Sequence, residues 1–336
     1  MARVEIGLGL FPTEPPRRIV ELVRIAEDLG YSCVWIGDSQ MIWREAYVVL
    51  GAAAMATSRV ALATGVTNPV TRDPAVVAAA LETLHELSGG RARLGIGLGD
   101  SSVETLGKRP ASLAAMEAAI SEIRALIAGE TVPHPESGAP VHLTYAQAGT
   151  RVPVYLAVSG PRIHRLAGRL GDGAIVLVGV DSHFLEQSRQ ELERGAAEAG
   201  RDLAAEGFKV VCWTPCAIAQ DGAVARAAVK AHVARVLKRD LPFALGPEDM
   251  AVVQKIREQY AYYEHMIAGT AHGEVVPDSL VEKFAVAGTP AEAREQLERL
   301  AATGLVDEIA LIPHAHDPAE REHIVRAVGA MIADLV

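Results

Sequence analysis

The sequence has 336 residues, of which 50% are hydrophobic and 22% charged, a balance that is typical of a globular chain with a large core and excludes a disordered one. The 42 acidic and 32 basic residues give a formal net charge of −10, which disfavours non-specific binding to nucleic acid or to anionic membranes. No apolar run reaches the roughly 18 residues of a membrane-spanning helix, and the first residues lack a basic segment followed by a long apolar one. We therefore expect a cytoplasmic protein without nucleic-acid or membrane partners.

Short apolar runs alternate with helical patterns along almost the whole chain. Because these runs are continuously apolar rather than alternating, they are typical of parallel strands that are buried on both faces. The predicted strands cover residues 4–10, 33–37, 60–66, 92–98, 153–158, 173–178, 208–219 and 308–313. Eight strands, each followed by a helix, favour a (β/α)8 TIM barrel over an open sheet.

Several helix starts are marked by a capping side chain followed by proline, at Asp73-Pro74, Thr289-Pro290 and Asp317-Pro318. Two segments interrupt the alternation. Residues 129–152 are rich in proline and glycine and are expected to form a loop or a short hairpin. Residues 238–286 are expected to form a longer insertion with helical patterns around 247–268. No linker separates domains, so residues 1–336 are interpreted as a single domain.

The three cysteines, Cys33, Cys212 and Cys216, are too few and too scattered for a disulfide framework or a zinc site. Cys212 and Cys216 lie four residues apart in an apolar stretch. We interpret them as small buried apolar side chains in a reducing compartment.

Small and polar residues gather after the predicted strands, where the chemistry of a (β/α)8 barrel takes place. They are Asp38 and Ser39 after the second strand, Gly65, Val66 and Asn68 after the third, Gly97, Gly99 and Asp100 after the fourth, Ser159, Gly160, Pro161 and Arg162 after the fifth, and His314 and His316 after the last. Glycine at a strand end lets a ligand approach the backbone. A helix N-terminus with a nearby arginine suits a phosphate.

These residues also allow structural interpretations. Gly97 and Gly99 lack the GxGxxG spacing of a nucleotide fingerprint and fit a tight turn equally well. Asp38 could cap the next segment. His314 and His316 could contact substrate, bind a metal or be structural, and because no carboxylate pattern completes a metal site, no metal is predicted.

The decapeptide from Gly65 to Pro74, GVTNPVTRDP, resembles the third-strand signature of the luciferase-like oxidoreductase superfamily. It is most similar to that of the coenzyme F420-dependent methylenetetrahydromethanopterin reductases. The resemblance continues at 88–92 (SGGRA), 97–100 (GLGD), 159–161 (SGP) and 284–290 (FAVAGTP), so that it covers nearly the whole chain.

The resemblance implies a luciferase-like (β/α)8 barrel that binds the deazaflavin F420 at the C-terminal ends of its strands. It implies a non-proline cis peptide at Gly65-Val66 behind the cofactor ring, and a phosphate site at Ser159–Pro161. Asp38, Gly99 and Asp100 match positions on the ring and ribityl side. The family tends to form homodimers through the helices after strands 2 and 3, and we expect a homodimer or a higher homo-oligomer. The alanine-rich faces at 52–56 and 75–80 would suit such packing and suit a core equally well.

Two departures bear on the substrate. Ser39 stands where the family often has histidine, and Gly9 stands where the methanopterin reductases have glutamate. We therefore expect an F420-dependent oxidoreductase that transfers a hydride to or from a different small organic substrate. The candidate catalytic residues are Asp38, Asp100 and His314. The alternatives are an FMN-dependent luciferase-like monooxygenase and a barrel that binds the cofactor without turnover.

Overall fold

The computed structural model describes residues 4–134, 137–259, 270–315 and 317–335. Its strands are β1 (Glu5–Leu10), β2 (Cys33–Ile36), β3 (Ala61–Thr64), β4 (Ala92–Ile96), β5 (Val132–Pro133), β6 (Pro140–Val141), β7 (Val154–Val158), β8 (Gly173–Val176), β9 (Lys209–Ile218), β10 (Val286–Gly288) and β11 (Glu308–Pro313). Its helices are α1 (Pro16–Asp28), α2 (Ala46–Ala56), α3 (Pro74–Ser88), α4 (Ser101–Glu104), α5 (Leu113–Ile127), α6 (Pro161–Leu170), α7 (Ser182–Glu198), α8 (Gly222–Leu237), α9 (Pro247–Gln259), α10 (Ala271–Glu274), α11 (Asp278–Phe284), α12 (Pro290–Ala302) and α13 (Pro318–Leu335).

The main sheet contains all eight predicted strands. They follow the order β9-β11-β1-β2-β3-β4-β7-β8, and β8 pairs again with β9. Because helices separate these strands along the chain, the predicted (β/α)8 barrel is confirmed. The short strand β10 pairs with β9 in addition.

The chain divides into two compact units, and one of them consists of Phe11–Arg24 and Val34–Ala157. In this unit β3 pairs with β4 and β4 pairs with β7, all in parallel. Helix α3 begins as predicted, because Asp73 accepts a hydrogen bond from Ala75 N at 2.9 Å and Pro74 occupies the first turn.

Arg91 holds the start of β4 to the end of α2 in the same unit. Its guanidinium donates to the carbonyl oxygens of Val60 at 2.7 Å, Thr57 at 2.9 Å and Ala54 at 3.1 Å. It also donates to Ser88 O at 2.7 Å. This arginine therefore satisfies backbone acceptors at the end of the strands that is opposite to the predicted site.

The second unit consists of Met1–Leu10, Ile25–Cys33 and Val158–Val336. Within it β1, β11, β9 and β8 pair in parallel, and one row of residues crosses all four strands. The row is Ile6, Ile309, Cys212 and Val176. All four side chains are buried, which is the arrangement that the continuous apolar runs predict.

Helices α6 and α7 approach each other closely within this unit, because glycines face the contact. A Cβ built at Gly168 would lie 2.0 Å from Leu192 O, and one at Gly195 would lie 2.0 Å from Arg165 O. Any larger residue at either position would force the two helices apart. An ion pair between Arg165 and Glu191, at 2.7 Å, also joins the helices.

The structure describes the two segments that were predicted to interrupt the alternation of strands and helices to different extents. Residues 129–152 contain the antiparallel hairpin of β5 and β6, as expected. Of the helical pattern predicted for 247–268, α9 covers Pro247–Gln259, and 260–268 lie outside the described residues. Helices α10 and α11 and strand β10 were not predicted, because elements of 3 to 7 residues are too short to show a period. The single-domain interpretation stays a prediction.

No helix within the described ranges has both the length and the apolar character needed to cross a membrane. None of the three cysteines forms a disulfide and all are buried, so their interpretation as small buried side chains is confirmed.

We predict that thiol reagents will not modify the folded protein. Burial raises the pKa of Cys212 and of Cys216 to about 12, so that both remain protonated thiols at neutral pH. The measurement is the rate of reaction with a chromogenic disulfide, before and after addition of denaturant. Ser121→Cys, at an exposed position on α5, is the positive control. Rapid modification of Cys212 or Cys216 in the folded protein, located by mass spectrometry, would contradict the prediction.

Candidate active site

The segment that follows β3 forms the centre of the candidate site. The peptide bond between Gly65 and Val66 is cis, as the resemblance implied, and this prediction is confirmed. Gly65 N donates to Ile36 O at 2.7 Å, and Thr67 N donates to Gly95 O at 3.0 Å. Main-chain hydrogen bonds therefore tie the end of β3 to the ends of β2 and β4.

Asp38 lies shortly after β2, and its side chain is only 1% exposed. Its Oδ2 accepts hydrogen bonds from Thr67 Oγ1 and Arg72 Nε, both at 2.8 Å, and its Oδ1 accepts from Arg72 Nη2 at 3.0 Å. A buried carboxylate is stable only when it is paired, and here both oxygens are engaged. This geometry favours a role in holding neighbouring residues. The N-cap of the next helix, α2, is Glu45 rather than Asp38.

Arg72 connects Asp38 to the start of α2. Its Nη2 also donates to Glu45 Oε1, and its guanidinium carbon lies 4.8 Å from the centroid of the Tyr47 ring. The hydrogen bonds to Asp38 raise the pKa of Arg72 above its ordinary value. Burial, and then the charge of Asp38, raise the pKa of Tyr47 as well. Arg72, Glu45 and Tyr47 were missed by the sequence analysis, although Arg72 lies inside the diagnostic decapeptide.

Hydroxyl and amide groups gather beside this ion pair. Asn68 Oδ1 accepts from Thr71 N at 2.9 Å, which forms a turn after β3, and Asn68 Nδ2 donates to Ser102 Oγ at 3.0 Å. The hydroxyl oxygens of Ser39 and Ser101 lie 3.1 Å apart. We call Asp38, Thr67 and Asn68, with these three serines, the strand-end cluster.

The end of β4 leads into the same unit's short helix α4. Gly97 N donates to Thr67 O at 2.9 Å. Gly99 has a φ of +107°, and a Cβ there would lie 2.3 Å from Val103 Cγ2, so the tight turn requires glycine. Asp100 precedes α4 without capping it through its side chain. Roles for these three residues in cofactor binding or catalysis stay predictions.

In the second unit, α6 begins directly after β7. Ser159 and Gly160 precede the helix, Pro161 is its first residue, and no described side chain caps this terminus. Arg162 is exposed. A Cβ built at Gly160 would lie 3.5 Å from Asp240 Cβ, so an acidic residue packs beside the start of the helix.

His164 fixes this helix start. Its Nδ1 lies 2.8 Å from Gly160 O, and its Nε2 lies 2.6 Å from Ser188 Oγ on α7. Since a carbonyl oxygen can only accept, Nδ1 carries the proton and Nε2 accepts from the serine. Burial lowers the pKa of His164 to about 4, which keeps the ring neutral near pH 7.

His314 follows β11, where its backbone N donates to Cys216 O at 2.7 Å. Its Nε2 lies 2.8 Å from Nδ1 of His232 on α8, and both rings are buried. One ring must donate and the other accept, so the two imidazoles cannot both be charged without losing this bond. His232 was missed, although a single histidine in an apolar helix was a weak signal. His316 lies outside the described residues.

Gly9 in β1 is enclosed by large side chains of its own unit. A Cβ at this position would lie 2.9 Å from both Ile312 Cγ1 and Trp213. A glutamate side chain at position 9 would have to displace both neighbours. The close packing around Gly9 therefore suits glycine and does not suit the glutamate that the resemblance would place there.

Comparisons with known proteins identify the family to which this chain belongs. The profile of the family described as luciferase-like monooxygenase matches residues 2–307. The chain is 30% identical to the 5,10-methylenetetrahydromethanopterin reductase of Archaeoglobus fulgidus, over 94% of this chain and 95% of the relative. It is 38% identical to an F420-dependent glucose-6-phosphate dehydrogenase of Beutenbergia cavernae, over 56% of this chain and 61% of the relative.

Among solved structures, the coenzyme F420-dependent tetrahydromethanopterin reductase from Methanopyrus kandleri has a TM-score of 0.78 and 26% identity, with 100% of both chains covered. The chain therefore belongs to the luciferase-like monooxygenase family, and the predicted resemblance is confirmed.

We predict that His164 makes the folded protein sensitive to acid. The unfolded chain binds a proton at this histidine below its ordinary pKa of 6.5, whereas the folded chain binds it only near pH 4. Stability from this group is therefore complete above pH 6.5 and is lost as the pH falls towards 4, by a maximum on the order of 3 kcal/mol.

The measurement is the free energy of unfolding in urea between pH 7 and pH 4, for the natural protein and for His164→Gln. The variant should be less stable at pH 7, and the difference should shrink as the pH falls. Parallel pH profiles for the two proteins would show that His164 is not responsible.

Proposed function

We propose that this chain is an oxidoreductase that transfers a hydride between coenzyme F420 and a small organic substrate. The observation that carries the proposal is the strand-end cluster, in which Asp38, Thr67 and Asn68 are fixed at the ends of adjoining barrel strands. Support also comes from relatives that match this chain over nearly its full length and from others that are F420-dependent by name.

The chemistry of the described residues fits such a cofactor. Ser39, Asn68, Ser101 and Ser102 carry hydroxyl and amide groups, which can bond to the carbonyl and amide edge of a ring or to a ribityl chain. When bound, the cofactor supplies the hydride. We propose that the backbone of Gly65 and Val66 lies against the rear of the cofactor ring.

We assign Gly97, Gly99 and Asp100 to the same cofactor. Ser159, Gly160 and Pro161 are assigned to its phosphate, because helix N-termini bind anions, and Arg162 adds a positive charge.

The chain's own residues have different tasks in this proposal. Asp38 orients Thr67, because both of its oxygens are engaged. The proton that accompanies the hydride is assigned to Asp100 or to His314, each of which follows a barrel strand.

The substrate is proposed to differ from methylenetetrahydromethanopterin. The supporting observation is the packing of Trp213 and Ile312 around Gly9, which leaves no space for an acidic side chain.

We further propose a homodimer that forms through α2 and α3. Val48 and Met55 on α2 are 68% and 73% exposed, and Val76 on α3 is 57% exposed. Exposed apolar side chains at helical spacing on two adjacent helices are typical of a protein interface. Location in the cytoplasm stays a prediction from the sequence.

We predict that the purified protein binds F420 with micromolar or higher affinity and binds FMN more weakly. The measurement is a fluorescence titration with each cofactor. Asp38→Asn should weaken F420 binding, because it removes the anion that holds Thr67 and Arg72. Asp221→Asn, which affects only the cap of α8, is the matched control.

Clear binding of FMN without F420 would refute the proposal. In that case oxygen consumption with reduced FMN would favour the monooxygenase, which the family description also suggests. Binding of F420 without hydride exchange to any of a panel of alcohols and carbonyl compounds would favour a barrel that holds the cofactor without turnover.

We predict that Met55→Glu and Val76→Glu convert a dimer into a monomer, because each places a charge in the proposed interface. Sedimentation velocity gives the mass. Val224→Glu, at an apolar position on α8 that is 59% exposed, is the control and should leave the mass unchanged. The proposed interface is refuted if all three variants sediment like the natural protein.

A further inference from the structure

Arg72 is the residue that joins three segments of one unit. It makes a bidentate ion pair with Asp38 after β2, bonds to Glu45 at the start of α2, and lies over the ring of Tyr47. We infer that Arg72 is a positioning residue, which acts through Asp38 and Thr67 to fix the Gly65–Thr67 segment behind the cofactor ring. The inference rests on the proposed function, since it assumes that a ring binds there.

Thr67 links the ion pair between Arg72 and Asp38 to the backbone of the segment after β3. The main chain of Thr67 bonds to Gly95 O at 3.0 Å and to Gly97 N at 2.9 Å, and both of these partners lie in or beside β4. Its side chain bonds to Asp38 on the opposite side, at 2.8 Å. The main chain of Gly65 already bonds to Ile36 O of β2 at 2.7 Å, but at Thr67 the main-chain bonds lead to β4 alone. The side-chain bond to Asp38 therefore adds a connection towards β2 at the far end of the segment, which limits rotation of Thr67 about β4.

The guanidinium suits this task in a way that an ammonium group would not. Nε and Nη2 engage the two oxygens of Asp38 as a planar fork, which fixes the plane of the carboxylate and hence the direction in which it accepts from Thr67. The flat face is free to stack on Tyr47. Lysine offers one charged nitrogen and no plane, so it can neutralise Asp38 without orienting it.

Charge balance makes the arrangement depend on this single arginine. Asp38 is almost fully buried, and Arg72 also bonds to the carboxylate of Glu45. Without Arg72, Asp38 would be a buried anion near a second acidic residue, a state that proteins avoid by protonation or by turning the group towards water. Either change would remove or redirect the carboxylate oxygen of Asp38 that accepts the hydrogen bond from Thr67 Oγ1.

The experiment compares Arg72→Lys and Arg72→Gln with the same two substitutions at Arg91. Arg91 is a matched control because it also joins several segments of this unit, but through backbone carbonyl groups at the opposite ends of the strands. For each protein we would measure the Kd for F420, the absorption spectrum of the bound cofactor and the thermal midpoint. The Arg72 variants should bind F420 about tenfold or more weakly and with a shifted spectrum, as expected when a positioning contact is lost. The Arg91 variants should lose thermal stability while keeping the natural Kd and spectrum.

A double-mutant cycle tests the route through Thr67. Thr67→Val should weaken F420 binding in the natural protein and have little further effect when combined with Arg72→Lys, because the same contact has already been disturbed. If the two effects add independently, the proposed route is wrong. If Arg72→Lys leaves both Kd and spectrum unchanged, Arg72 has only a structural role.

These outcomes are distinct from failure of the proposed function. If the natural protein binds FMN and not F420, the same series with FMN still tests Arg72, since the inference concerns the surface behind a ring. If it binds neither cofactor, the proposed function and this inference both fail.

Discussion

The carboxylate of Asp38 is held away from water, and the arrangement at the ends of β2, β3 and β4 depends on how its charge is balanced. A buried anion of this kind requires a cation with matching geometry and further hydrogen-bond donors. Arg72 and Thr67 supply them. Because both partners come from the segment after β3, that segment can occupy only a narrow range of positions relative to β2. The ion pair thus determines local backbone geometry at the place where this family of barrels is expected to bind its cofactor.

The parts of this protein that could be predicted are those encoded by neighbouring residues. Continuous apolar runs marked all eight barrel strands, because burial on both faces leaves a local signature. The decapeptide containing Asn68 likewise indicated the family from contiguous residues. Contacts between distant residues left no such signal: Asp38 and Arg72 are separated by 34 positions, and His232 and His314 by 82. Strand β10 was missed because a segment of 3 residues owes its conformation to pairing with β9 rather than to its own pattern.

In the proposed function, the strand-end cluster contacts the cofactor and does not select the substrate. Its interactions come from backbone groups, small hydroxyls and one oriented carboxylate, none of which selects a particular electrophile. Positions such as Gly9 are different, because there the neighbouring Trp213 and Ile312 decide which side chain can be present. Under that proposal, substrate preference would change through a few packing positions such as Gly9 while the cluster stays the same.

The contact between α6 and α7 has a consequence beyond the packing of two helices. Where Gly168 and Gly195 face the neighbouring backbone, a single methyl group would act as a spacer and change the angle of the α6 axis. The dipole of a helix is aligned with its axis, so that angle sets the direction in which the positive end of α6 acts. The absence of a side chain at Gly168 and at Gly195 thus helps to set the direction of the field at the start of α6. That start lies about one turn from Arg165, which contacts Gly195, and about two turns from Gly168.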